Sequence, residues 1–136
     1  ISGLVGSEMC IRDRNSIEAH RNKGLYLYFK QEYKSARASF EEVKRIDPYF
    51  EEAYFNIGNT FLGDFDLDDD VMFLDSAFYY FNAAFQINDE YVQAIHNIGL
   101  YHEIKGDLAL AKSWYLKAID LDNNFEPSLN AMNALD

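Results

Sequence analysis

The chain has 136 residues, nearly half of them apolar, and its 23 acidic against 12 basic residues give a net charge of −11. With ten Tyr and eleven Phe, this composition excludes a disordered chain and supplies one continuous core. No apolar run reaches the roughly 20 residues that cross a bilayer. So strong a negative charge also excludes nucleic acid and anionic membrane surfaces as expected partners, since both need Lys and Arg to neutralise phosphate. The partner class that remains is a protein or peptide, neutral or basic.

Residues 1–14 carry no helical stripe and hold the single cysteine, Cys10. Leu4–Asp13 resembles a translated sequencing-library adapter: CTC GTG GGC TCG GAG ATG TGT ATA AGA GAC encodes those ten residues in order. Residues 1–16 are therefore expected to be a non-native or disordered segment ahead of a gene fragment truncated at its 5′ end. Finding the segment intact in an uninterrupted genomic locus would refute this. With Cys10 set aside, no disulfide, zinc or thiol chemistry is expected, and no cofactor.

From Ile17 onward the chain repeats itself. Gly24 is followed by Ala36, Phe40 and Val43; Gly58 by Ala77, Phe81 and Ala84; Gly99 by Ala111, Tyr115 and Ala118. The glycines are spaced by 34 and then 41 residues and the first alanines by 41 and then 34. One 34-residue unit thus occurs three times, with seven extra residues between Gly58 and Ala77. In the first unit (17–50) the spacing predicts helices over 17–30 and 33–46, ended by Asp47-Pro48. The second unit (51–91) holds the extra residues as an acidic loop near Gly63–Asp70. In the third (92–125), Val92, Ile95, Ile98 and His102 form one stripe and Leu108, Ala111, Tyr115 and Ala118 another. Between them, Gly106 suits a helix end and Asp107 a helix cap.

A glycine inside a helical pattern costs up to about 1 kcal/mol relative to alanine. Three in the same phase imply that the two helices of each unit cross there, with Phe40, Phe81 and Tyr115 filling the space beside them. A unit of this length, with a small residue in its first helix and an Ala, aromatic, Ala stripe in its second, resembles the tetratricopeptide repeat (TPR). Residues 126–136 resemble the capping helix of such arrays, with Pro127 in its first turn, Leu129 and Met132 covering the last unit, and Asn130 and Asn133 facing water. The loop proline of the family is kept only as Pro48, and His20, Tyr54 and Ile95 stand where a Trp is often found. The resemblance implies an all-α fold: a right-handed superhelix, or α-solenoid, of three helix-turn-helix repeats plus the capping helix.

It also implies a function, binding of a partner peptide in the concave groove lined by the first helix of each unit. The groove positions are Arg21, Leu25 and Tyr28; Glu52, Phe55, Asn56, Asn59 and Leu62; and Gln93, His96, Asn97, Leu100 and Glu103. Some family members hold a carboxylate terminus with a clamp of Lys, Asn, Asn, Lys and Arg. The corresponding positions here are Arg21, Leu25, Asn56, Gln93 and Asn97, so both cations of the third unit are missing and the clamp is not expected.

Asp64, Asp66, Asp68 and Asp75 match four ligand places of an EF-hand-type calcium loop, but Asp69 replaces the required glycine. The competing expectation is a solvated loop whose last Asp caps the next helix, with no metal. His96 and His102, six residues apart, point about 120° from each other on a helix. No catalytic constellation is present, and His102 is expected to be an interior, satisfied histidine. The reading is a non-enzymatic interaction module; the alternative is the TPR segment of a larger glycosyltransferase-like or sulfotransferase-like enzyme. No residue pattern assigns a compartment, and the working expectation is cytoplasmic.

Overall fold

A computed structural model describes the backbone of residues 2–136 and the side chains of residues 10–136. Seven helices follow in order among the described residues: α1 (Ser2–Phe29), α2 (Tyr33–Ile46), α3 (Glu51–Asp68), α4 (Val71–Ile87), α5 (Val92–Ile104), α6 (Leu108–Leu121) and α7 (Glu126–Leu135). They form three antiparallel pairs stacked into a right-handed solenoid, closed by α7 against α6.

The segment ahead of Ile17 differs from expectation. Helix α1 runs back to Ser2, because no proline interrupts the chain there and a formed helix propagates at one hydrogen bond per residue. Residues 10–15 are exposed along it, and packing begins at Ser16 and Ile17. Ile1, and the side chains of residues 2–9, which include most of the adapter-like run, lie outside the described residues.

The glycine argument holds in the structure. A Cβ on Gly24 would stand 2.5 Å from the Phe40 ring, on Gly58 2.5 Å from Phe81, and on Gly99 2.7 Å from Tyr115. A fourth close approach, Gly63 against the Tyr33 ring, joins the first unit to the second. The core continues from one unit into the next. Ala36 and Phe40 of α2 pack on Ile57 of α3, and Ala77 and Phe81 of α4 pack on Ile98 of α5. Each unit therefore shares its core with its neighbour, which is why such units are stable only when stacked.

The extra residues of the middle unit are helix rather than loop. Helix α3 has 18 residues where α5 has 13, and α4 has 17 where α6 has 14. The connection between them shrinks to Asp69-Asp70, with Asp69 left-handed (φ 54°) and Asp70 capping α4 through the Met72 N–H at 2.9 Å. The added turns are tied down: Arg37 of α2 donates to Thr60 (2.9 Å), pairs with Asp64, and lies 3.6 Å from the Phe61 ring centroid.

The ends of the units are built alike. Gly106 (φ 89°) and Gln31 (φ 63°) turn the chain after α5 and α1, and Asp107 caps α6 through the Leu110 N–H. After α2, α4 and α6 the side chains of Asp47, Asn88 and Asp122 each accept from the backbone N–H two residues on, at 3.0–3.1 Å. These Asx turns shape the two connections that lack proline. At the C-terminus Leu129 and Met132 are half-buried and Asn130 and Asn133 exposed, as the helical phase requires.

Candidate functional site

The inner wall is formed by α1, α3 and α5, and its polar side chains are mostly engaged with one another. At the first seam, between α1 and α3, Arg21 Nε donates to Glu52 Oε1 at 2.6 Å. One turn further along α1, Leu25 and Tyr28 converge with Phe55, Asn56 and Asn59 of α3 on a cavity of about 190 Å³. Phe40 also lines it, and Phe29, 78% exposed, stands among the lining residues. Five of the thirteen expected groove residues thus share one hollow. Sequence reasoning missed Phe29, which lies four residues after Leu25 on the same stripe; counting one position further would have found it. Burial, with lesser contributions from the neighbouring Tyr33 and Asp66, pushes the Tyr28 hydroxyl up from its ordinary pKa.

At the second seam, between α3 and α5, the wall is closed. Asn97 Nδ2 donates to Asn59 Oδ1 at 3.1 Å. The Phe55 ring lies 5.2 Å from Tyr91 and 5.9 Å from Phe81. Burial, followed by Glu52 and Glu51, raises the Tyr91 hydroxyl far above its usual range. Leu62 is spent on the Ala77, Phe81 and Ile98 core.

The third unit contributes less free surface. Gln93 is exposed and Leu100 half-buried, while Glu103 accepts the Tyr115 hydroxyl at 2.8 Å. His96 turns toward α7: its Nδ1 is 2.9 Å from the buried Ser128 hydroxyl, and its ring lies between Tyr115 and Phe125. His102, expected in the interior, is only half-buried, with its ring edge-on to Phe78 at the outer seam. His96 is drawn into packing by contacts that come from an element 32 residues away, beyond the reach of a single-helix stripe. Burial lowers the pKa of both.

The four aspartates do not form a calcium-type loop. Asp64, Asp66 and Asp68 lie on the last turns of α3 rather than in a loop. Asp64 is taken by Arg37, and Asp75 by Lys105 (3.1 Å) and the Tyr101 hydroxyl (3.0 Å). Those two partners hold the Asp75 carboxyl below the usual carboxylate range. No cluster of three or more His, Cys, Asp or Glu suited to a metal occurs among the described residues. Nor is any helix among them long and apolar enough to cross a membrane.

The family model for the tetratricopeptide repeat matches residues 17–50 and 92–125, half of the chain. The chain belongs to the tetratricopeptide repeat family. The middle TPR unit, with its helical extension, falls outside the matched residues. No curated protein matches the chain with significance. Among solved structures it is similar to the Arabidopsis OM64 TPR domain, at 19% identity over 90% of this chain and 96% of that one, with a TM-score of 0.78. It is similar also to the first TPR domain of Spaghetti (RPAP3) bound to the HSP90 peptide SRMEEVD, at 18% identity, 89% and 90% coverage and a TM-score of 0.76. A third is the Yersinia enterocolitica type III secretion chaperone SycD in complex with a peptide of the translocator YopD, at 16% identity, 89% and 87% coverage and a TM-score of 0.72. At such identities the likeness is one of fold.

Proposed function

We propose that this TPR array is a non-enzymatic interaction module that binds a peptide of a partner protein along α1, α3 and α5. The observation that carries the reading is the convergence of Leu25, Tyr28, Phe55, Asn56 and Asn59 on one cavity of the inner wall. It offers apolar surface for a side chain and amides for a peptide backbone, the combination by which grooves hold peptides. Two neighbours of the same fold are described with peptides bound, which supports the class of ligand. The alternative, a segment of a larger enzyme, draws no support from those relatives.

The ligand proposed is neutral or basic, with neither nucleic acid nor a membrane as partner. A peptide such as the acidic SRMEEVD of the RPAP3 complex is a poor match, because Arg21 is already paired with Glu52. The third unit presents Gln93 and Asn97 where a carboxylate clamp needs cations. Selection of twelve-residue peptides from a random display library tests the reading. Enriched peptides should lack a C-terminal acidic cluster, and Arg21→Ala should change their affinity less than threefold. Enrichment of acidic C-termini, or a loss above about 2 kcal/mol on Arg21→Ala, the range of an energetic anchor, would overturn it.

A further inference from the structure

Helix α3 carries one continuous face past the cavity. Asn56, Asn59, Gly63 and Asp66 follow at helical spacing, and the α3 extension adds the last of them. Gly63 seats against Tyr33, whose ring is 5.5 Å from that of Tyr28. Asp66 follows one turn beyond Gly63 on that face, and so lies past the Tyr33 side of the cavity rather than in its lining. It is exposed, unlike Asp64, which Arg37 neutralises. The hollow itself is mostly aromatic and aliphatic, with Phe40 almost fully buried and Leu25 where a clamp would place an asparagine. Its volume of about 190 Å³ admits one large side chain and is too small for a folded element. Glu52 stands at the opposite end, its charge matched by Arg21.

We propose that this cavity is the anchor subsite of the groove: it takes one large apolar side chain of a bound peptide, with a basic neighbour of that side chain facing Asp66. The proposal rests on the peptide-groove reading above and deepens it, assigning the anchor to the first seam and its charge preference to the extension. Apolar burial drives entry. The exposed carboxylate adds a modest, salt-sensitive preference for Lys or Arg.

Capped tripeptides make the test independent of any natural ligand and of chain direction. Acetyl-Lys-Leu-Lys-amide, acetyl-Lys-Gly-Lys-amide and acetyl-Glu-Leu-Glu-amide are titrated at millimolar concentration into ¹⁵N-labelled protein. The leucine peptide with lysines should shift the Asn56 and Asn59 side-chain amides. The glycine peptide should bind at least tenfold more weakly, and the glutamate peptide several-fold more weakly. Leu25→Trp, which fills the hollow, should abolish the shifts. Phe29→Ala, at an exposed position that leaves the fold intact, should weaken them several-fold, and Asp66→Asn should remove the preference for lysine over glutamate. Equal binding of the leucine and glycine peptides would overturn the anchor, and equal binding of the lysine and glutamate peptides would overturn the charge preference. Shifts confined to Gln93, Leu100 and Glu103 would move the anchor elsewhere and leave the groove reading standing. Absence of shifts on the inner wall for all three peptides would overturn the anchor, whereas the groove reading is judged by the display selection.

Discussion

The first and second seams are built on the same frame and use it differently. The first two units are clipped by two arginines, Arg21 of α1 on Glu52 and Arg37 of α2 on Thr60, Asp64 and Phe61, and a hollow remains between α1 and α3 beside the clip. Between the second and third units the inner wall is closed by an amide pair, Asn59 of α3 with Asn97 of α5, while behind it α4 meets α5 through the Phe78–Tyr101 stack at 4.3 Å and the exposed bonds of Asp75 to Lys105 and Tyr101. The corresponding residues of the first two units explain the contrast. Leu25 is apolar and turns the α1 wall into a cavity lining, whereas its counterpart Asn59 reaches across to the next unit. A repeat array therefore fixes where inner-wall residues lie, and individual residues decide which seam is structural and which stays open.

Gly58→Leu should have the largest effect on that comparison, because it disturbs the pair shared by both seams. Its side chain would enter the volume of the Phe81 ring, and overpacking of this kind costs about 1–3 kcal/mol or more. An unchanged melting temperature would show that the α3–α4 crossing tolerates a side chain. Next comes Arg37→Ala, which leaves the half-buried Asp64 and the buried Thr60 short of a partner. About 2 kcal/mol is expected from the loss of such a pair. Tyr101→Phe at the second seam removes only an exposed bond to Asp75 and should cost less than about 1 kcal/mol. Urea unfolding of the two variants side by side checks the asymmetry; equal losses would erase it.

The pH dependence probes the far end of the array. Burial holds the pKa of His96 and His102 below the ordinary value of 6.5, with Glu103 partly opposing at His96 and Asp107 at His102. Because the folded pKa is the lower one, the unfolded chain takes up protons first. Stability is fully present above about pH 6.5 and is lost as the pH falls below it toward the folded values. The urea midpoint should thus drop between pH 7.5 and 5.5, and His96→Gln should flatten part of that slope. A flat profile in the unmodified protein would contradict the burial of these rings. The smallest effect is a gain. Gln31 sits at φ 63°, where glycine carries no Cβ penalty, so Gln31→Gly should stabilise the first unit by about 0.5–1 kcal/mol, read from the melting temperature.

Much of the fold was legible because it rests on spacing. The phase shared by Gly24, Gly58 and Gly99 with Phe40, Phe81 and Tyr115 predicts helix crossings that the structure shows. The cap at Asp107 and the coverage by Leu129 and Met132 follow from local chemistry. What escaped was decided between elements. Five aspartates in seven residues read as a loop, yet Phe61, Phe65 and Phe73 give α3 and α4 enough apolar contact, with Arg37 on Asp64, to continue as helix. The bonds from Asn97 to Asn59 and between His96 and Ser128 depend on how far one unit is rotated against the next, which no single-helix stripe contains. Among the expected groove residues, Leu25, Tyr28, Phe55, Asn56 and Asn59 converge at the first seam, where Arg21 and Glu52 pair with each other. Leu62, His96 and Glu103 are drawn into packing or internal bonds.

The footprint of a display-selected peptide on ¹⁵N-labelled protein tests the central claim most directly. The account predicts shifts of the Asn56 and Asn59 side-chain amides and of the α1 and α3 backbone around Leu25, Tyr28 and Phe55, with α2, α4 and α6 little affected. Shifts confined to the outer helices, for example around Tyr79, Asn82 and Leu116, would contradict it.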